Sequence, residues 1–165
     1  MPIRANELDD LDHRILEQLQ RDCALTNQDL AEQVHASPPT CLRRVRRLVE
    51  TGLIQQRVAI LDPTLMGAAL TVIIEVTLDT QAATQADALE AQLVVEPAIQ
   101  QCYRVSSGPD FILVAMVADM PAYQALAQRC LTSDPRIRNV RSFFATARSK
   151  FTTRIPITRQ AGTSR

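Results

Sequence analysis

The chain has 165 residues and a mass of 18.3 kDa, with 18 Lys+Arg against 18 Asp+Glu and a formal net charge of zero. Apolar residues make up 46% and charged residues 22%, the composition of a globular chain of one or two domains rather than a disordered one. The longest apolar run, residues 111–118, falls far short of the roughly 20 residues a membrane-spanning helix needs, and the start turns acidic at Glu7 with no apolar core, so neither a membrane helix nor a signal peptide is predicted.

Zero net charge hides an uneven distribution. Residues 38–49 hold Arg43, Arg44, Arg46 and Arg47 and no acid, whereas the first helical segment carries Asp9, Asp10, Asp12 and Glu17. Four clustered guanidiniums are an electrostatic footprint for nucleic acid, although a solvated helix face has the same composition. Cys23, Cys41, Cys102 and Cys130 are widely spaced without a CxxC, as in reduced thiols of a cytoplasmic protein.

The first half, residues 1–52, reads as three short helices. Helix 1 spans about 9–21, with Asp9 as N-cap, Asp12 near the positive helix end, and an apolar stripe of Leu8, Leu11, Ile15, Leu16 and Leu19. Helix 2 starts at the N-cap Thr26, with Asp29 three residues on, and faces inward through Leu30, Ala31 and Val34. After the turn His35-Ala36, Ser37 caps helix 3, Pro38 takes its first position and Gly52 stops it. Three helices with a tight turn between the second and third form a helix-turn-helix pattern. At about 100° per residue, Cys41, Val45, Leu48 and Val49 share the dry face of helix 3. Thr40, Arg43 and Arg47 point the opposite way, toward base edges, with Ser37 near the helix start; Arg44 and Arg46 lie on the flanks, toward phosphates. Arginine suits both tasks, since it pairs bidentately with guanine and with phosphate oxygens.

Residues 53–69 read as a linker. A β-prone stretch over 53–61 is expected as a connecting strand, with Arg57 as a further phosphate contact, and Asp62-Pro63 and Gly67 mark a hinge. The period then changes. Leu70, Val72, Ile74, Val76 and Leu78 alternate with polar residues in a strand, and a helix follows over 82–95 with Ala86, Leu89 and Leu93 inward. Strands are expected at 98–106 and 111–118 around the turn 107–110, then a helix capped by Asp119 with Tyr123, Leu126, Ala127 and Cys130 inward, and a last strand over 137–149. The order β-α-β-β-α-β over 70–157 is the ferredoxin-like split βαβ unit, so the class is α+β: a three-helix, winged helix-turn-helix domain followed by a ferredoxin-like domain. Two helices cover one face of such a sheet. The third strand is apolar on both faces, and Ile73 adds to the uncovered one, which predicts a homodimer through this half. Residues 158–165 form a polar tail.

These motifs resemble the Lrp/AsnC family of bacterial and archaeal regulators. The segments that carry the likeness are 8–16, then Leu30-Ala31-Glu32, 37–48 and Gly52-Leu53-Ile54, then Leu61-Asp62-Pro63 with Gly67, Cys102-Tyr103-Arg104-Val105, Asp110-Phe111 and 150–157. The resemblance runs over about residues 7–157. It implies a transcriptional regulator that binds double-stranded DNA, forms dimers that assemble to tetramers or octamers, and responds to a small amino acid bound between dimers of the second domain, with no other cofactor and no metal. Carried over by position, Ser107, Gly108 and Asp110 line the effector site and Ser142 aligns with a threonine near it. Two departures stand out. His35 replaces the glycine or asparagine usual in the helix-turn-helix turn, and residues 107–110 read Ser-Gly-Pro-Asp where the family's loop reads Gly-acid-aromatic-Asp. Proline removes an N–H donor from that loop.

Two other readings use the same fold. One is a DNA-organising protein that needs no effector. The other is an enzyme, since some sirohaem decarboxylases resemble this family in both domains. Their chemistry asks for histidine donors in the second half, yet His13 and His35 both precede residue 61.

Overall fold

A computed structural model describes residues 8–68, 70–80 and 82–157. The chain divides into two compact units, residues up to 59 together with the C-terminal segment from 150, and residues 60–149.

In the first unit, α1 (Asp10–Leu19), α2 (Asn27–Gln33) and α3 (Pro38–Glu50) pack around buried Ile15, Leu30, Ala31, Val34, Cys41, Val45 and Leu48. Local chemistry sets each boundary. Asp9 and Asp12 form a reciprocal capping box, with Asp12 N–H donating to Asp9 Oδ1 at 2.9 Å and Asp9 N–H donating to Asp12 Oδ2 at 3.2 Å. Thr26 Oγ1 accepts from Asp29 N–H at 3.1 Å. The turn after α2 is a Schellman motif: Ala36 N–H reaches Ala31 O at 2.9 Å, His35 N–H reaches Glu32 O at 3.1 Å, and His35 takes φ +53°. Histidine tolerates this left-handed geometry better than most side chains. Gly52, at φ +75°, ends α3 and donates to Val49 O at 2.9 Å. Arg14 Nε donates to Val34 O at 3.2 Å and Asn27 Nδ2 to Pro38 O at 2.9 Å, so side chains latch α1 to the end of α2 and α2 to the start of α3.

The connecting strand expected over 53–61 does not form. A strand needs a ladder partner for its backbone donors and acceptors, and none pairs there among the described residues. The segment 150–157, expected with the second domain, groups with the first unit: Gln20 donates through Nε2 to Ile155 O at 3.2 Å and accepts at Oε1 from Ile155 N–H at 2.8 Å. The polar tail of 158–165 lies outside the described residues.

The second unit contains β1 (Leu70–Leu78), α4 (Ala83–Leu93), β2 (Ile99–Arg104), β3 (Phe111–Val117), α5 (Met120–Ala127) and β4 (Ile137–Phe144). A π-helical turn, Gln128–Thr132, extends α5. The sheet order is β2-β3-β1-β4 and every neighbour pair is antiparallel, as a ferredoxin-like unit requires. Period-2 alternation sets the register: Val72 faces Ala115, Ile74 faces Leu113 and Val76 faces Phe111, all buried on the helix-covered side with Leu89, Leu93, Leu126 and Leu131. The opposite side presents Ile73, Tyr103 and Phe143 to solvent beside half-buried Ile112, Val114 and Met116. On that side the Arg141 guanidinium pairs with Glu75 at 3.3 Å and lies 5.4 Å from the Phe143 ring centroid. Strand β4 ends at Phe144, short of the expected 149. Among the described residues no helix is long and apolar enough to cross a membrane.

Candidate nucleic-acid interface and effector cavity

Helix α3 packs its dry side through Cys41, Val45 and Leu48. Ser37 is its N-cap by backbone geometry, but its hydroxyl donates to Thr40 Oγ1 at 2.9 Å instead of capping a backbone N–H. That pair stands at the exposed start of the helix. Arg43 and Arg46 are exposed, and among the described residues neither forms an ion pair. Arg46 also borders a groove of about 460 Å³ floored by Leu42, Val45, Val49 and Ile54 and edged by Arg57. Two of the expected phosphate contacts, Arg46 and Arg57, therefore share one surface.

Arg44 and Arg47 behave differently from the expectation. Both turn back to Asp12, whose side chain has 0% exposure. Arg44 Nη1 lies 3.2 Å from Asp12 Oδ2 and 2.7 Å from Asp9 Oδ2, and Arg47 Nη2 donates to Asp12 Oδ2. Helical angle alone placed Arg47 away from the core, but an arginine side chain is long enough to reach around. A carboxylate with no access to water requires charged partners, and these two are within reach. Arg47 Nε is buried without a hydrogen-bond partner, so the demand of Asp12 sets this geometry rather than the needs of the guanidinium. Burial works against ionisation of Asp9, but the Asp12 N–H and the Arg44 guanidinium outweigh it and hold the carboxyl below its ordinary range. The sequence offered one signal for Asp12: it falls between Leu8, Leu11, Ile15 and Leu16, inside the apolar stripe.

In the second unit, a cavity of about 280 Å³ opens between the β2–β3 turn and the start of α4. Ser107, Gly108 and Asp110 line it, over a floor that includes Leu78, Ala86 and Phe111. Gly108 has φ +86°, which suits glycine. Asp110 does more than line the cavity. Its Oδ2 accepts from Leu78 N–H at 2.7 Å, and its own N–H donates to Val76 O at 2.9 Å, so it pins the turn to the end of β1. Arg104, which sequence reasoning passed over as a site residue, also lines the cavity. Its guanidinium pairs with Asp87 at 2.8 Å and with Glu90, and stands 5.5 Å from the Phe111 ring centroid.

Ser142 does not join this group. It sits on β4 opposite Ile74, under α5, and shares a hydrogen bond with the Tyr123 hydroxyl. The Tyr123 ring packs edge-on against Phe144 at 5.1 Å. The four effector candidates therefore separate within one chain into a turn of three and a serine two strands away.

Comparison with known proteins agrees with both units. Residues 8–55 match a winged helix-turn-helix DNA-binding family, and residues 71–155 match the Lrp/AsnC ligand binding domain. The leucine-responsive regulatory protein of Salmonella typhimurium is 35% identical over 151 residues, 92% of each chain. Among solved structures, an AsnC family transcriptional regulator from Agrobacterium tumefaciens superposes with TM-score 0.86 at 33% identity, covering 91% of this chain and 97% of its own. A Neisseria meningitidis transcriptional regulator in complex with L-Met gives TM-score 0.85 at 31% identity, with the same 91% and 97% coverage.

A helix-turn-helix unit joined to a ligand-binding α+β unit defines a DNA-binding transcriptional regulator. This chain belongs to the Lrp/AsnC family.

Proposed function

We propose that the protein is a cytoplasmic, sequence-specific regulator that reads double-stranded DNA with α3 and is modulated by a small amino acid. The observation that carries the DNA-reading part is the exposed, unpaired pair Arg43 and Arg46 on a helix that buries Cys41, Val45 and Leu48 on its other side, although Val49, expected on that side, is exposed. In this reading Thr40 and Arg43 face base edges, with Ser37 at the helix start. Arg46 and Arg57 neutralise phosphates along their shared surface. The uncovered sheet face, with Ile73, Tyr103 and Phe143, joins two copies, which presents paired helices to a two-fold DNA site. Dimers assemble further to tetramers or octamers. The protein is not an enzyme in this reading.

The effector reading rests on the cavity at Ser107, Gly108 and Asp110, and is supported by the L-Met complex of the Neisseria meningitidis regulator. Binding there acts through different affinities for two assemblies. Fluorescence anisotropy on the DNA upstream of its own gene, with and without each of the twenty amino acids, tests it. One or a few amino acids are expected to shift affinity or stoichiometry. Specific DNA binding that none of them moves would support the effector-independent DNA-organising reading instead.

A further inference from the structure

We propose that Asp12 is a positioning residue for DNA recognition: it holds Arg44 and Arg47 against α1, so that α3 offers phosphates and bases only Arg43 and Arg46 of its four arginines. The proposal rests on the reading of α3 as the DNA-facing helix and adds to it the division of charge on that helix.

Three observations carry it. Asp12 is fully shielded from water, so its charge is matched within the protein rather than by solvent. It is also fixed by the capping box at the first turn of α1, so the arginines bind to a rigid point. Both arginines retain partial exposure, 24% for Arg44 and 39% for Arg47, which means that they lie close enough to the surface to reach phosphate if released. Asp12, with Asp9 as the second acid on Arg44, thereby occupies two of the four guanidiniums on α3. Masking matters because sequence-independent affinity grows with each phosphate neutralised, whereas discrimination depends on base-edge contacts. A helix with four free arginines holds any DNA tightly. A helix with two leaves a larger share of its binding to sequence.

The same ion pairs fix orientation. Arg44 joins α3 to both Asp9 and Asp12, so the first turn of α1 and the middle of α3 move as one body. Displacing a recognition helix by an ångström breaks bidentate base contacts while leaving phosphate contacts within reach.

The test is the salt dependence of DNA affinity, measured by anisotropy on the chain's own upstream DNA and on random DNA, for the full-length protein and five variants. Arg46→Gln should make the slope of log K against log[salt] shallower by about 0.9 per DNA-bound helix, whereas Arg43→Gln should narrow the ratio of specific to random affinity. Arg44→Gln and Arg47→Gln each leave Asp12 one guanidinium and should leave that slope unchanged. Asp12→Asn should steepen it by about 0.9 through Arg47, since Asp9 still holds Arg44 at 2.7 Å, and narrow the ratio of specific to random affinity. A merely structural role for Asp12 would lower the melting temperature and the active fraction without steepening the slope. A shallower slope for Arg44→Gln or Arg47→Gln overturns the proposal, because those arginines then already serve DNA. If Arg43→Gln and Arg46→Gln change nothing while the wild type still binds, the reading of α3 as the DNA-facing helix fails instead. Should Asp12→Asn not fold, the four arginine variants decide the question.

Discussion

Each unit uses a carboxylate to hold the segment proposed to face its ligand, but the two do it by different physics. Asp12 in the first unit is fully buried and satisfied by two guanidiniums. Asp110 in the second is half-buried and accepts from a neutral backbone N–H, that of Leu78. Removing Asp12 changes charge and orientation together on the helix proposed to meet DNA. Removing Asp110 frees a turn without altering the charge of any neighbour. The first device governs electrostatics, the second conformation, and the difference follows from what each carboxylate is paired with.

The largest expected effect of breaking this pattern is at Asp12. Asp12→Ala should destabilise the first unit by about 2–3 kcal/mol in a urea or thermal melt, below the 3–5 typical of a fully buried pair because both arginines keep contact with water. Equal loss in a melt of the second unit would contradict the assignment of Asp12 to the helical core.

Asp110→Ala comes next. It deletes one charge-assisted hydrogen bond and should cost about 1–2 kcal/mol, with loosened hydrogen-exchange protection at Leu78 and across residues 105–110. DNA salt slopes should not move. A changed slope would mean that the two carboxylates are not independent.

The smallest effect is at Asp9. Its folded-state pKa lies below the ordinary value, so its contribution is fully present above the carboxylate range and is lost as pH falls through the lowered value. The Asp9→Asn variant keeps a capping side chain and should cost only about 0.5 kcal/mol near neutral pH. It should also flatten part of the acid limb of the first unit's stability curve below about pH 4. An unaltered acid limb would show that the Arg44 contact contributes nothing measurable.

Much of this architecture was legible from the chain. Alternation at 70–78 identified a central strand and its buried face, whereas 111–117 is apolar on both faces and its period of two showed only which residues share a side. The caps at Asp9, Thr26 and Asp119 were readable because a cap acts within three residues. The left-handed His35 stands where glycine or asparagine is usual in this turn, so its position was a signal of that geometry. What escaped were contacts made by long reach across elements. Spacing gives the direction in which a side chain leaves its helix, and Arg47 leaves α3 away from the core yet ends on Asp12. Ser142 was carried over as aligned with a threonine near the effector site, and the hydrogen bond it shares with the Tyr123 hydroxyl was not legible, because the pattern put Tyr123 inward without showing which strand it meets. The strand expected at 53–61 failed for a related reason: β-prone residues do not make a strand without a neighbour to pair with.

The most direct test of the central claim is a competition between the DNA upstream of the chain's own gene and random DNA at one stated salt concentration, for the wild type and Arg43→Ala. The account predicts that the wild type prefers its own site by at least about 10³-fold and that Arg43→Ala gives up about 1–3 kcal/mol of that preference. Equal affinity of the wild type for both DNAs, or a preference that Arg43→Ala leaves whole, would contradict it.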